Sequence, residues 1–258
     1  MSSRRELFLE EMGLTPLWRL RRGEAVGNGA VARPLNLTAS TGVAENSQTL
    51  TLRSAQDAEH RAAHIARMEW DGLKATAAAC TACGLRKTCT QTVFGVGDEK
   101  ADWMLAGEAP GAEEDARGEP FVGQAGKLLD AMLAAIGLKR GEDVYIANVL
   151  KCRPPGNRNP DAAEVAQCSP FLLRQVELIQ PRLILALGRF ACQTLLETDA
   201  SIASLRGRVH RYQGVPLVVS YHPAYLLRNL PEKARAWDDL CLALDTAEAS
   251  AAHVASGV

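Results

Sequence analysis

The sequence lacks an excess of charge of either sign: 29 Lys and Arg stand against 30 Asp and Glu in 258 residues. That balance excludes a histone-like polycation, although a local basic face depends on how charge is distributed and not on its sum. No run approaches the ~18 apolar residues of a membrane span, so no membrane contact is expected. The opening MSSRRELFLEEMG has basic residues but no apolar core segment, and it is not read as a secretory signal. The seven cysteines are an odd number in a chain without an export signal. A disulfide framework is therefore not expected, and metal or thiol chemistry in a cytoplasmic protein takes its place. There is no internal repeat. At 47% hydrophobic and 23% charged, the composition is that of an ordinary globular chain.

Three zones divide the chain. Residues 4–22 have the spacing of a short amphipathic helix, with Leu7, Phe8, Met12, Leu14 and Trp18 as its apolar set. Residues 23–56 are rich in Gly, Ala, Ser, Thr and Asn, lack Tyr, Trp and Phe, and show no sustained period. Such a stretch buries too little apolar surface to offset its ordering entropy and reads as a linker. The boundaries expected are an extension over 1–56, a domain over 57–250 and a tail over 251–258. A helix over Asp57–Ala79 leads into the first cysteine pair. Beyond it, apolar runs at Trp103–Ala106, Val144–Val149, Leu183–Leu187 and Leu217–Val219 read as buried strands. Helical patterns at Ala125–Ile136, Asp161–Gln180, Arg189–Glu197 and Pro231–Ala249 alternate with them. This alternation predicts an α/β fold with a parallel sheet covered by helices on both faces. In such sheets ligands bind beyond the carboxyl ends of the strands.

Cys80 and Cys83 form a C-x-x-C pair, and Cys152 and Cys168 lie fifteen residues apart much further on. Two such pairs suit a tetrathiolate site for zinc or for an iron–sulfur cluster, and spacing does not separate the two. Cys192 and Cys241 fall on helical apolar faces and read as buried thiols. The loop after the first strand, GEAPGAEEDARGEPFVGQAG, is rich in glycine but carries Glu108, Glu113, Glu114, Asp115 and Glu119. Those carboxylates would repel a phosphate, and no Gly-Lys-Ser/Thr follows, so it is not a phosphate cradle. Glu113, Asp115 and Glu119 read as solvated surface acids.

Six segments carry a resemblance that spans about residues 75–245. They are the C-x-x-C at Cys80/Cys83, VFG at Val93–Gly95, GEAPG at Gly107–Gly111, PFVGQAG at Pro120–Gly126, NVLKCRPPGNR at Asn148–Arg158 and HPAYLLR at His222–Arg228. In this order, at the strand ends, the chain resembles the family-four uracil-DNA glycosylases, the iron–sulfur branch of the uracil glycosylase superfamily. The resemblance implies a three-layer α/β/α sandwich with a central four-stranded parallel sheet. It implies hydrolysis of the bond between uracil and deoxyribose in single- or double-stranded DNA, leaving an abasic site for base excision repair. It also implies a structural [4Fe–4S] cluster on Cys80, Cys83, Cys152 and Cys168, with Cys89 spare.

The reaction dictates what the site must supply. A base inside a duplex is unreachable and must be rotated into a pocket. The family pattern places His222 as the donor to the uracil O2, where negative charge builds on the leaving base. A side-chain amide can accept from uracil N3–H and donate to O4, whereas cytosine presents the opposite pattern; Asn148 fits. Phe121 would stack on the flipped base, with Glu108, Ala109 and Pro110 completing the substrate site. Elsewhere in the superfamily an Asp or Asn occupies the position of Ala109. The water-activating group must then come from nearby, and the candidates are Glu108, Glu114 and Asn157, in that order. Glu114 has an alternative role in excluding a thymine methyl. Leu226 resembles the apolar wedge that fills the gap left by a flipped base, and Tyr225 and Arg228 would hold DNA backbone.

The charge is polarised in a way that suits this reading. Residues 182–235 carry eight basic side chains against three acidic, and residues 97–120 carry eight acidic against two basic. The basic half is suited to phosphates. A monomer in the bacterial cytosol is expected. The extension at 1–56 is a candidate tether for a repair or replication partner. Two other classes compete: a non-catalytic iron–sulfur protein that senses uracil in DNA, and a zinc-tetrathiolate nucleotide-binding module.

Overall fold

A computed structural model describes residues 58–255, with side chains as far as residue 251. The amphipathic segment 4–22, the linker to residue 56 and the chain end at 256–258 lie outside the described residues. The helices are α1 (58–65), α2 (Trp70–Ala78), α3 (Ala112–Arg117), α4 (Gln124–Ala135), α5 (Ala162–Ile179), α6 (Arg189–Leu196), α7 (Ile202–Leu205), α8 (Pro223–Leu226) and α9 (Glu232–Ala255). The strands are β1 (Val96–Gly97), β2 (Trp103–Gly107), β3 (Val144–Asn148), β4 (Leu183–Leu187), β5 (Val209–Tyr212) and β6 (Val215–Ser220).

They form one sheet in the order β1-β3-β2-β4-β6-β5. The four inner strands are parallel and are the four that the apolar runs predicted. The expected four-stranded parallel sheet is nonetheless corrected to six mixed strands, because β1 and β5 pair antiparallel at the two edges. Neither edge has an apolar run to announce it. β1 is two residues long, and a Cβ at Gly97 would lie 2.1 Å from the Val144 carbonyl oxygen. Only glycine can lie there. β5 returns to β6 through a two-residue turn in which Gln213 and Gly214 both have positive φ, the turn geometry that matches strand twist.

Side chains of the inner strands alternate between two cores, and both faces are buried. Trp103, Leu105, Val144, Ile146, Leu183, Leu185 and Val218 pack against Leu129 and Leu133 of α4 and Leu240 and Ala243 of α9. Met104, Ala106, Tyr145, Ala147, Ile184, Ala186 and Val219 pack against Leu172 and Val176 of α5 and Cys192 and Leu195 of α6. This is an α/β/α sandwich. Among the described residues, no helix is long and apolar enough to cross a membrane.

Two helical expectations change. The single helix over 57–79 is two helices, since α5 intervenes: Arg174 Nε donates to the Met68 carbonyl at 2.7 Å, and Trp70 packs 5.6 Å from the Tyr145 ring. The last helix runs to Ala255, past the expected domain end at 250.

Candidate active site and cysteine cluster

A cavity of about 450 Å³ opens at the carboxyl ends of β2, β3 and β6. Glu108, Ala109, Pro110, Glu114, Phe121, Asn148, Asn157, His222, Tyr225 and Arg228 all line it. Every expected pocket residue except Leu226 is thus brought to one place. Sequence reasoning missed Arg158, Pro154 and Gly111, which also line it.

Close approach is what assembles the walls. Gly107 ends β2 opposite Asn148, and a Cβ there would lie 2.3 Å from Asn148 Oδ1 and 2.6 Å from Phe121 Cζ. Gly188, at φ +93°, sits 2.8 Å (from an idealised Cβ) beneath the Cβ of His222. Glycines at these two strand ends let the amide, the aromatic ring and the imidazole share one cavity.

Asn148 is 2% exposed, and its Oδ1 is buried without a hydrogen-bond donor. A buried acceptor in that state has a cost that a bound donor would remove. His222 caps α8, and its Nδ1 accepts from the Ala224 N–H at 3.1 Å. An accepting Nδ1 leaves the proton on Nε2, which is then a donor. Burial pushes this imidazole from its ordinary 6.5 down to about 4; Arg228 adds to the shift and Glu114 opposes it. The ring is therefore neutral at physiological pH. The Phe121 ring stacks 5.4 Å from it at 27°.

Phe121 holds its place at a backbone cost, with φ +54°. Arg140 clamps the strained segment: Nη1 and Nη2 donate to the Pro120 and Phe121 carbonyls at 3.0 and 2.8 Å, and Nε donates to Asp130. No sequence signal marked Arg140. Glu114 is spent on the same frame. Its Oε2 accepts from Gly111 N–H at 3.1 Å, and its Oε1 accepts from Val122 and Gly123 N–H at 3.0 and 3.2 Å. It ties the GEAPG loop to the PFVGQAG loop. Glu108 carries no such load, and burial lifts its carboxyl above the ordinary range while Arg189 opposes the lift. Asn157 is at the exposed rim, its Oδ1 accepting from Arg153 Nε at 2.8 Å.

Two expectations are corrected here. Leu226 is 1% exposed and packs in the core with Leu129, Met132 and Leu240, so it is not free to enter DNA. The short helix α8 turns it inward and turns the next residue, Leu227, outward at 42% exposure. Asp115 is not a solvated acid: it is 5% exposed and accepts from Thr90 N–H at 2.9 Å and from Thr90 Oγ1.

The NVLKCRPPGNR segment also reaches the cysteines, since Lys151 and Cys152 line their cavity. Among the described residues, no group of three or more His, Cys, Asp or Glu side chains is arranged to hold a metal ion. Cys80, Cys83, Cys152 and Cys168 nevertheless line one small cavity, with Arg86, Lys151 and Phe171. Burial pushes the Cys168 thiol up to about 11 and raises Cys83 and Cys152 as well. Two N–H donors already face the sulfurs: Arg61 Nη2 to Cys80 Sγ at 3.3 Å and Lys151 N–H to Cys168 Sγ at 3.2 Å. An all-sulfur donor set with N–H···S support is chemically suited to an iron–sulfur cluster. Cys89 is 8% exposed in the same core, beyond that cavity's lining.

The family model of the uracil-DNA glycosylase superfamily matches residues 94–241. A type-4 uracil-DNA glycosylase of Archaeoglobus fulgidus is 51% identical over 57% of this chain and 78% of its own length. Type-4 enzymes of Pyrobaculum aerophilum and Thermotoga maritima are 43% and 45% identical, over 63% and 60% of this chain and 87% and 82% of theirs. With its fold, its strand-end pocket and these matches, the chain belongs to the type-4 uracil-DNA glycosylases.

Proposed function

We propose that this pocket accepts an extruded uracil from DNA and hydrolyses its N-glycosidic bond, releasing free uracil and an abasic site. The observation that carries the reading is the buried Asn148 Oδ1 without a donor, in a cavity that also holds a neutral histidine. Uracil N3–H supplies the missing donor, and the Asn148 amide N–H₂ is left to meet O4. Cytosine offers an acceptor at N3 and a donor at position 4, and would leave both atoms of the amide opposed.

As the bond between C1′ and N1 breaks, its electron pair passes into the uracil N1–C2–O2 system. The Nε2–H of His222 holds the charge that gathers on O2. A water oxygen bonds to C1′, and its proton passes to Glu108, the pocket carboxylate whose oxygens the frame does not use. Glu114 serves instead as the brace between loops. Asn157 is the remaining candidate for orienting the water. Phe121 gives the base a stacking face, and Tyr225 and Arg228 meet the backbone of the DNA. Leu227, next to the buried Leu226, is the residue that would fill the vacated base position. Cys80, Cys83, Cys152 and Cys168 would hold a [4Fe–4S] cluster, which supplies no step and ties the segment after β3 to the start of the domain.

The test is excision from an oligonucleotide carrying one uracil. Asn148→Ala is expected to lose most uracil excision while binding DNA. Wild-type excision by that variant would remove Asn148 from the account.

A further inference from the structure

Lys151 is 2% exposed, and Gln175 on α5 is completely buried. Lysine is almost never so buried unless it is paired, and here its partners are specific. Nζ donates to the main-chain carbonyl of Asn148 at 2.8 Å and to Gln175 Oε1 at 2.7 Å. Gln175 Nε2 in turn donates to the Phe94 carbonyl at 3.0 Å and to the Tyr145 hydroxyl at 3.1 Å. Both side chains are thereby fixed at both ends. The Asn148 residue is the last of β3, beyond which the sheet offers its carbonyl no partner, and Lys151 provides one.

We infer that Lys151, held by Gln175, is a positioning residue that fixes the Asn148 peptide and so aims its side-chain amide into the base pocket. The inference rests on the reading of Asn148 as the uracil-recognising amide. The same residue reaches the cysteine cluster, because its own N–H donates to Cys168 Sγ and its neighbour is Cys152. Three residues of chain thus separate Asn148 from Cys152, and the last of them, Lys151, touches both the Asn148 carbonyl and the Cys168 sulfur. If Lys151 only filled space, an apolar side chain of similar length would serve, and no carbonyl at this strand end would need it. Without Nζ the buried carbonyl is unpaired, and the Asn148–Val149 peptide keeps only the bond from Val149 N–H to the Gly107 carbonyl at 2.9 Å, too little to hold the amide at one angle.

A double-mutant cycle separates positioning from bulk stability. Single-turnover excision at saturating uracil-DNA is measured for the full chain, Lys151→Met, Asn148→Ala and the double variant. Iron content and absorbance near ~400 nm confirm equal cluster loading. Lys151→Met is expected to lose about tenfold or more in the Asn148 background and less than about twofold in the Asn148→Ala background, because a residue acting through another has nothing left to act on. Equal losses in both backgrounds overturn the inference. Should Lys151→Met fail to fold or load, Gln175→Leu, which removes only one of the two Nζ acceptors, runs through the same cycle with the same two outcomes. If Asn148→Ala alone excises at the wild-type rate, the reading of Asn148 has failed and this inference with it; a failure of Lys151 alone leaves Asn148→Ala deficient.

Discussion

His222 and Glu108 carry opposite electrostatic demands inside one cavity, and burial meets both. For the imidazole, burial disfavours the cation, so the ring stays neutral and donates from Nε2. Its folded-state pKa lies below its unfolded value. The unfolded chain therefore binds the extra proton between about 6.5 and 4, and the native state loses stability as pH falls through that window. Excision is expected to be independent of this group at neutral pH and to collapse as pH approaches 4, where protonated Nδ1 can no longer accept from Ala224. A rate that rises on acidification would contradict a neutral donor. His222→Ala should cost about 10²–10³-fold in turnover with DNA binding retained, the usual loss for one oxyanion donor. The Glu108 carboxyl, raised by burial, should give an acidic limb above the ordinary 4.5 that Glu108→Gln abolishes along with most activity. At this scale much was legible, since polar residues at apolar strand ends mark a pocket. The bracing role of Glu114 was not, because which carboxylate ties backbone together depends on loop geometry that no spacing encodes.

Elements decide which residue of a motif faces where. The four residues of α8 bury Leu226 and expose Leu227, a difference that the sequence LL cannot express. Leu226→Ala should therefore destabilise the fold by about 2–5 kcal/mol, as core truncations do. Leu227→Ala should leave the melting temperature unchanged and lower excision from duplex DNA more than from single strands. Thermal melts and paired substrates check both. Arg140 is the clamp on a strained loop, so Arg140→Ala should lose stability of order 1–3 kcal/mol by freeing two carbonyls and should weaken substrate binding through Phe121. The four inner strands and their helices were readable because continuous apolar runs and helical periods are strong signals. The edge strands were not, since β1 depends on glycine approach to Val144 and β5 on a turn with no apolar run. The break between α1 and α2 is likewise imposed from outside, by Arg174 on the Met68 carbonyl and by Tyr145 against Trp70.

Across the whole molecule, the near-zero net charge hides an acidic first loop and a basic stretch over residues 182–235. Part of that acidity is internal, since Asp115 and Glu114 satisfy backbone donors and do not face solvent as free charge. The basic stretch contains the HPAYLLR segment at the pocket mouth, and DNA affinity should fall steeply with salt, each phosphate contact adding about 0.7 to the log–log slope on single strands. Seven cysteines resolve into four around one cavity, one beside them, and two elsewhere. The parallel sheet brings the ends of β2, β3 and β6 to one pocket, and the segment leaving β3 joins that pocket to the cysteines. The most direct test of the account is the fate of a single uracil in an oligonucleotide incubated with cluster-loaded protein. Free uracil and an abasic strand are expected over repeated turnovers. Tight binding of the uracil-containing strand with the base still attached, at neutral pH and low salt, would contradict it.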